Sequence, residues 1–420
     1  MHDLLFLVHR IPYPPNKGDK VRSFHLLRHL AGHYRVWLGT FVDDPDDWRQ
    51  VDQVRRFCAE VYYAPLEPGR ARWWSLRGLA TGEPLTLPYY RHAGLRAWVD
   101  RVVATQRIKR VLVFSSAMAQ YVLNPPHDRL RRVMDFVDVD SAKWAMYADS
   151  KPWPLSWIYR RESRRLLTFE RAVAREFAAS VFVTAEEAAL FRRLAPEVPA
   201  DRVIAVANGV DTDYFNPDRE YPNPYPAEER VLVFTGAMDY WANVEAVDWF
   251  ARAVFPAIQR AAPDSRFYIV GARPTAAVRQ LASLPGVRVT GTVPDVRPYL
   301  AHALVAVAPL RIARGVQNKV LEAMAMGKAV LATQAALEGI GPSQAFASPT
   351  PALPREGGGD KAAEWGAVWV ADDPTELARQ ALALLADLAG AQQGGCGNRE
   401  WVLRHYDWDG NLSRMLLVLD

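Results

Sequence analysis

Short apolar runs alternate with segments of helical period from the first residues onward, and this alternation narrows the fold more than any other feature. Residues 4–8 form an unbroken apolar run, as in strands buried on both faces of a parallel sheet. A loop holding Pro12, Pro14 and Pro15 follows. Val21, Phe24, Leu27 and Leu30 then recur at helical spacing, with Gly32 as the stop signal. Residues 36–41 read as the next strand. Strand, helix and strand in that order make a crossover unit, and such units build parallel sheets. Residues 108–114, 132–136, 181–184 and 203–207 extend the series, with a long helix over 155–179. Pro217, Pro222, Pro224 and Pro226 crowd a segment that reads as an interdomain linker. The alternation restarts at 231–235 and continues through strands at 267–271, 287–290, 304–308, 329–333 and 368–370. Asn243 is placed to cap a helix carrying Val244, Val247, Phe250 and Val254 on one face. The expected architecture is α/β, with two doubly wound, Rossmann-like domains facing a cleft. Residues 1–219 make the first domain and 228–398 the second, and a C-terminal helix at 399–420 crosses back to the first.

A chain of 420 residues, half of them hydrophobic, has enough apolar material for two cores. The formal net charge of +4 is small for this length and gives nucleic acid no special claim as a partner. Cys58 and Cys396 lie far apart and fit neither a disulfide framework nor a zinc site, so a reducing cytoplasm is expected. The run at 4–8 is too short for a signal-peptide core or a membrane span. The uncharged stretch 111–126 is broken by serines, Gln120 and two prolines and reads as a strand with its loop. Residues 342–365, rich in Pro, Gly, Ser and Ala, read as a surface insertion.

Ligands of doubly wound sheets bind beyond the carboxyl ends of the strands. The loops at 12–19, 236–243, 271–273, 291–295 and 309–317 should therefore face the cleft. The strongest signal is the segment 309–330, PLRIARGVQNKVLEAMAMGKAV. It is a strand end, a loop with Gly315, and a helix start. The glycine lets backbone amides approach a ligand, and the helix N-terminus favours a diphosphate. Asn318, Lys319 and Glu322 share roughly one helix face. A cation beside an acceptor-only carboxylate suits a phosphate next to ribose hydroxyls. Taken alone, Lys319 and Glu322 read better as an ordinary exposed pair on a surface helix.

The segment ending in Glu322-Ala-Met-Ala-Met-Gly327 resembles the nucleotide-sugar motif of retaining GT-B glycosyltransferases of the large family 4 group. The likeness extends over nearly the whole chain. Asn208-Gly-Val-Asp211 with Phe215-Asn-Pro217 resembles the turn that closes the family's first domain. Phe234-Thr-Gly-Ala-Met238 resembles the glycine strand that opens its second domain, and Gly291-Thr-Val-Pro-Asp295 the loop that contacts the base. Asp138-Val-Asp-Ser-Ala-Lys-Trp144 resembles a subgroup encoded with exosortase and exopolysaccharide systems.

The resemblance implies an acceptor-binding first domain and a donor-binding second domain. It puts Glu322 on the ribose hydroxyls and Gly236, Met238, Asn243, Val293, Arg311, Arg314, Gly315, Val316, Gln317 and Asn318 around the donor. The first Glu of the family's paired motif is Arg314 here. Its diphosphate-binding Arg and Lys after the glycine strand fall at Met238 and Ala242-Asn243. We expect Lys319, with Arg311 or Arg314, to supply the missing positive charge. Lys17, Gly18, Asp19 and Arg22 occupy the first strand–helix loop, which meets donor phosphates or acceptor in the family. Asp138 and Asp140 follow a strand and read as a general base and an acceptor contact, or equally as helix-capping carboxylates. His9 reads better as a satisfied loop histidine than as a ligand contact.

The implied reaction is transfer of a sugar, with retention, from a UDP- or GDP-sugar to a glycan or lipid-linked acceptor. Exopolysaccharide or other cell-surface polysaccharide synthesis is the implied setting. No metal or other cofactor is expected. A nucleotide-sugar epimerase and a non-catalytic GT-B partner subunit are the alternatives. Two basic, aromatic stretches at 70–77 and 151–175 suit either peripheral contact with the inner face of the plasma membrane or solvated helices with buried tryptophans.

Overall fold

The computed structural model describes residues 1–15, 18–149, 151–313, 315–341 and 368–420. The expected insertion at 342–365, together with Lys17 and Arg314, lies outside the described residues.

Seven strands form the first sheet: β1 (His2–Val8), β2 (Tyr34–Val42), β3 (Glu60–Pro65), β4 (Arg110–Phe114), β5 (Arg131–Val137), β6 (Ala179–Phe182) and β7 (Val203–Ala205). Their order is β3-β2-β1-β4-β5-β6-β7, and every pairing is parallel. Leu5 lies opposite Trp37 on one side and Val111 on the other. Leu4, Leu5, Phe6, Leu7 and Val8 are all fully buried, which is why this central strand is apolar without alternation. The edge strand β3 is mostly half-buried and ends in Pro65. Its apolar run, Val61-Tyr-Tyr-Ala64, is short, and the sequence reading passed over it.

The second sheet holds β8 (Arg230–Thr235), β9 (Ser265–Val270), β10 (Val287–Gly291), β11 (Val305–Ala308), β12 (Ala329–Ala332) and β13 (Val368–Val370). It is also wholly parallel, in the order β10-β9-β8-β11-β12-β13. In each sheet the winding reverses once, between β1 and β4 and between β8 and β11. Loops leaving the carboxyl ends of those strands diverge there, and the gap between them is where doubly wound folds take ligands.

The chain divides into two compact units, 1–208 with 409–420, and 209–408. It enters the second unit ahead of the linker that the prolines suggest. Two helices close the chain, Leu388–His405 and Trp408–Leu419. The last returns to the first unit, where Leu412, Met415 and Leu419 are fully buried at helical spacing. Arg110 and Arg131 each donate to its final carbonyls, of Leu419 and Val418, at 2.9 Å. Arginines here satisfy the orphan acceptors of a helix C-terminus and match its dipole.

Candidate functional site

In the second unit the loops after β8, β9 and β10 are laced together by backbone. The Gly236 amide donates to Val270 O at 3.1 Å, Met238 N to Ala272 O at 2.8 Å, and Gly271 N to Gly291 O at 3.3 Å. A Cβ placed on Gly271 would lie 1.7 Å from the Gly236 carbonyl oxygen, so only glycine permits this approach. Gly271→Ala is accordingly expected to cost about 1–3 kcal/mol, read from denaturant melts. Gly18→Ala, whose new methyl meets nothing within 4 Å, should stay near wild type. Equal melts for the two variants would contradict the lacing.

Asn243 does not cap its helix. Tyr240 holds that position, and Asn243 sits in the first turn of Trp241–Trp249 with its side chain turned back. Its Nδ2 donates to Ala237 O at 2.9 Å, and its Oδ1 accepts from Lys319 Nζ at 2.6 Å. The Lys319 ammonium also stands 4.9 Å from the centroid of the Phe234 ring. One amide thus ties the loop after β8 to the helix Asn318–Ala325 across the switch point.

Burial lowers the Lys319 pKa to about 8, against the pull of Glu322. Burial raises the Glu322 carboxyl to about 7, against the pull of Lys319. Among the described residues no hydrogen bond or ion pair engages the half-buried Glu322 carboxylate, and Asn318 Oδ1 is buried without a partner. Both charges are thus poorly compensated within the protein. A ligand with an anionic group and hydroxyl donors would satisfy them together. Gly315 is buried with φ at 68°, and Gln317 holds the N-cap position of the helix without a capping side chain. Amides at the start of the helix Asn318–Ala325 are therefore not consumed by a side-chain cap.

Other expected donor residues fall differently. Arg311 is half exposed, bound to Glu245 at 2.7 Å and set 5.0 Å from the centroid of the Trp249 ring. Val293 and Val316 are half-buried against the hydrophobic core. Met238 is a correction: its side chain is fully buried in that core, and only its backbone serves the loops.

The first unit places His9 after β1, Ser115 and Ser116 after β4, and Asp138 to Asp140 after β5, which ends at Val137. Lys143 Nζ meets Asp138 Oδ2 at 2.6 Å and Asp140 Oδ1 at 3.6 Å. Ser116 Oγ donates to Asp140 at 3.4 Å. Asp138 Oδ1 is buried without a partner among the described residues. Burial raises the Asp140 pKa, with Lys143 opposing. Burial also opposes the Lys143 charge, but Asp138 and Asp140 outweigh it and hold that ammonium above its ordinary range. The sequence reading quoted Lys143 without assigning it; its spacing from Asp140 along a helix was the available signal. Ser115 and Val137 both have φ near +70°. For a β-branched residue such as Val137 this costs about 1–3 kcal/mol. Asp135 Oδ1 accepts from the Val137 amide at 3.1 Å and helps hold it there.

Gly18, Asp19 and Arg22 do not form one exposed acceptor site. Gly18 simply opens the helix Gly18–Ala31. Asp19 binds Arg10 at 2.6 Å and His9 Nε2 at 3.3 Å. Burial opposes its ionisation, but His9 and Arg10 hold the carboxyl well below the usual range. His9 stacks on Phe114 at 5.8 Å between centroids, a packed and paired histidine. Arg22 is a second correction. It is fully buried, donates to Asp135 Oδ2, Val206 O and Asn208 Oδ1, each at 2.9 Å, and so cannot meet an acceptor.

Residues 229–387, which span the second sheet and its switch point, match the family of glycosyl transferases group 1. The chain is a glycosyltransferase. No curated protein matches this glycosyltransferase in sequence. Solved structures that share its fold include the following three. A glycosyltransferase from Rickettsia africae covers 100% of this chain and 97% of its own, with a TM-score of 0.62 at 11% identity. Anabaena HepE, solved with UDP and glucose, covers 100% and 99%, with a TM-score of 0.65 at 13% identity. WaaG, a glycosyltransferase involved in lipopolysaccharide biosynthesis, covers 99% of both chains, with a TM-score of 0.64 at 16% identity. The GT-B fold of the glycosyltransferase is thus as the sequence implies. Among its described residues no His, Cys, Asp and Glu side chains cluster as a metal site, and no helix is long and apolar enough to cross a membrane.

Proposed function

We propose that this glycosyltransferase moves a sugar, with retention at the anomeric carbon, from a UDP- or GDP-sugar to a glycan or lipid-linked acceptor. Exopolysaccharide or related cell-surface polysaccharide synthesis at the cytoplasmic side of the membrane is the proposed setting. The observation that carries the reading is the Asn243–Lys319 link beside an unpartnered Glu322 at the switch point of the matched segment. Lys319 and the amides at the head of its helix take the diphosphate, and Glu322 takes the ribose hydroxyls. The bond from the anomeric carbon to the diphosphate oxygen breaks. The acceptor oxygen bonds that carbon from the same face, and its proton passes to the departing phosphate oxygen. Charge on the leaving group is met by the lysine and oriented amides, so the reading calls for no metal. Asp138 and Asp140, with Lys143, are proposed to position the acceptor hydroxyl.

The test is thermal stabilisation by UDP, GDP and ADP. A nucleotide bound only by the folded state adds about 2.7 kcal/mol at a hundred times its dissociation constant. One diphosphate should raise the melting temperature and thereby name the base. Silence from all three would favour a non-catalytic partner subunit. Consumption of the sugar nucleotide with an inverted sugar and no acceptor product would favour an epimerase.

A further inference from the structure

The first unit exposes tryptophan where a self-contained domain would bury it. Trp73 is 77% exposed and Trp153 80%, and Trp74 and Trp157 are also exposed. Leu76, Leu79 and Leu155 lie open among them. These residues come from two segments, the helices Pro68–Ser75 and Arg77–Thr81 with Leu76 between them, and the start of Leu155–Glu176 with Trp153 just ahead of it. The segments adjoin. Arg161, one helical turn beyond Trp157, donates to the carbonyl oxygens of Gly78 and Glu83. Glu162 accepts from the amides of Leu85 at 2.6 Å and Thr86 at 3.0 Å. The aromatic groups of both segments therefore flank one seam.

The charge on the seam is mostly positive, with Glu67, Glu83 and Asp149 at its margins and Asp149 paired with Arg160 at 3.5 Å. The two short helices carry Arg70, Arg72 and Arg77 and no acidic residue. In the first turns of Leu155–Glu176 the exposed charges are Arg160, Arg164 and Arg165, because Glu162 is buried against the loop at Leu85. Arg77 lies 5.0 Å from the centroid of the Trp74 ring, its charge held beside the aromatic surface. Indole rings settle at the boundary between headgroups and acyl chains, and arginines beside them meet anionic headgroups. A protein partner or a solvated face does not require that combination of bare tryptophan and an excess of arginine.

We infer that the seam formed by residues 68–81 and 151–165 is a docking surface for an anionic lipid bilayer, which the first unit enters at the interface without spanning it. This goes beyond the donor reading and does not depend on it, since vesicle binding stands or falls whichever nucleotide the second unit takes.

The test is flotation of the full chain with vesicles of equal parts phosphatidylglycerol and phosphatidylcholine, and with phosphatidylcholine alone. The protein should float with the first and not the second, and added salt should weaken binding. The variant Trp73→Ser with Trp153→Ser and Trp157→Ser should partition roughly tenfold less or worse. Arg164→Glu with Arg165→Glu should lose a comparable factor through charge alone. All of these side chains are exposed, so melting temperatures should match wild type. The inference is overturned if wild type ignores the anionic vesicles or if the tryptophan variant floats equally well. It is also overturned if the tryptophans instead hold a dimer that light scattering shows the variant to have lost.

Discussion

Lys319→Ala is expected to lower kcat by roughly a hundred- to a thousand-fold and to erase the thermal shift given by the cognate nucleotide. The size follows from where the ammonium sits. It is half-buried, held at 2.6 Å by Asn243 and backed by the Phe234 ring, so its charge acts on a ligand with less screening than a surface charge. Arg49, on an open surface beside Asp46, supplies the control, and Arg49→Ala should leave both readouts near wild type. The pH dependence has a definite sign. Burial depresses the Lys319 pKa to about 8, so the free protein carries the cation below that value and loses it as pH rises through it. Nucleotide affinity should therefore hold in the acid direction and fall above about pH 8. Lys319→Arg stays charged throughout and should flatten this fall, though its planar fork fits the Asn243 contact less well. Equal responses from the alanine variants at 319 and 49 would remove Lys319 from the donor site.

Most of this architecture could be read from local pattern. Strands such as β1, β4, β8 and β11 are buried on both faces, and such burial writes itself as an unbroken apolar run. β3, half-buried at a sheet edge, carries only the short run Val61-Tyr-Tyr-Ala64 and was passed over. At the donor side the motif around Lys319 and Glu322 was legible because its residues share one helix. The role of Asn243 was not, since its meaning is a reach across the switch point to a lysine far along the chain. Met238 and Arg22 were misplaced for a related reason. A residue next to a glycine turn has the same local signature whether it faces a ligand or the core. Only the tertiary partners decide, and for Arg22 these are Asp135, Val206 and Asn208.

Those partners make Arg22→Ala the largest expected loss of stability, about 3–5 kcal/mol. Arg22 and Asp135 are both fully buried, and their 2.9 Å contact is the charge compensation of the Asp135 carboxylate. Truncating the guanidinium strands that carboxylate and also removes the donor from Val206 O and Asn208 Oδ1. Burial already raises the Asp135 pKa, and Arg22 is the main influence opposing it. Without Arg22 the folded-state pKa should climb further. A group whose folded pKa lies above its unfolded value stabilises most when protonated and costs stability as pH rises through the folded value. The defect of Arg22→Ala should therefore ease in acid and deepen toward neutral pH. Asp135→Asn added to Arg22→Ala should recover part of the loss, a non-additivity that marks a coupled pair. If Arg22→Ala instead melted like wild type while raising the KM for acceptor, the arginine would be the ligand contact suggested by its place beside the first strand–helix loop. Urea melts of the single and double variants at two pH values separate these outcomes.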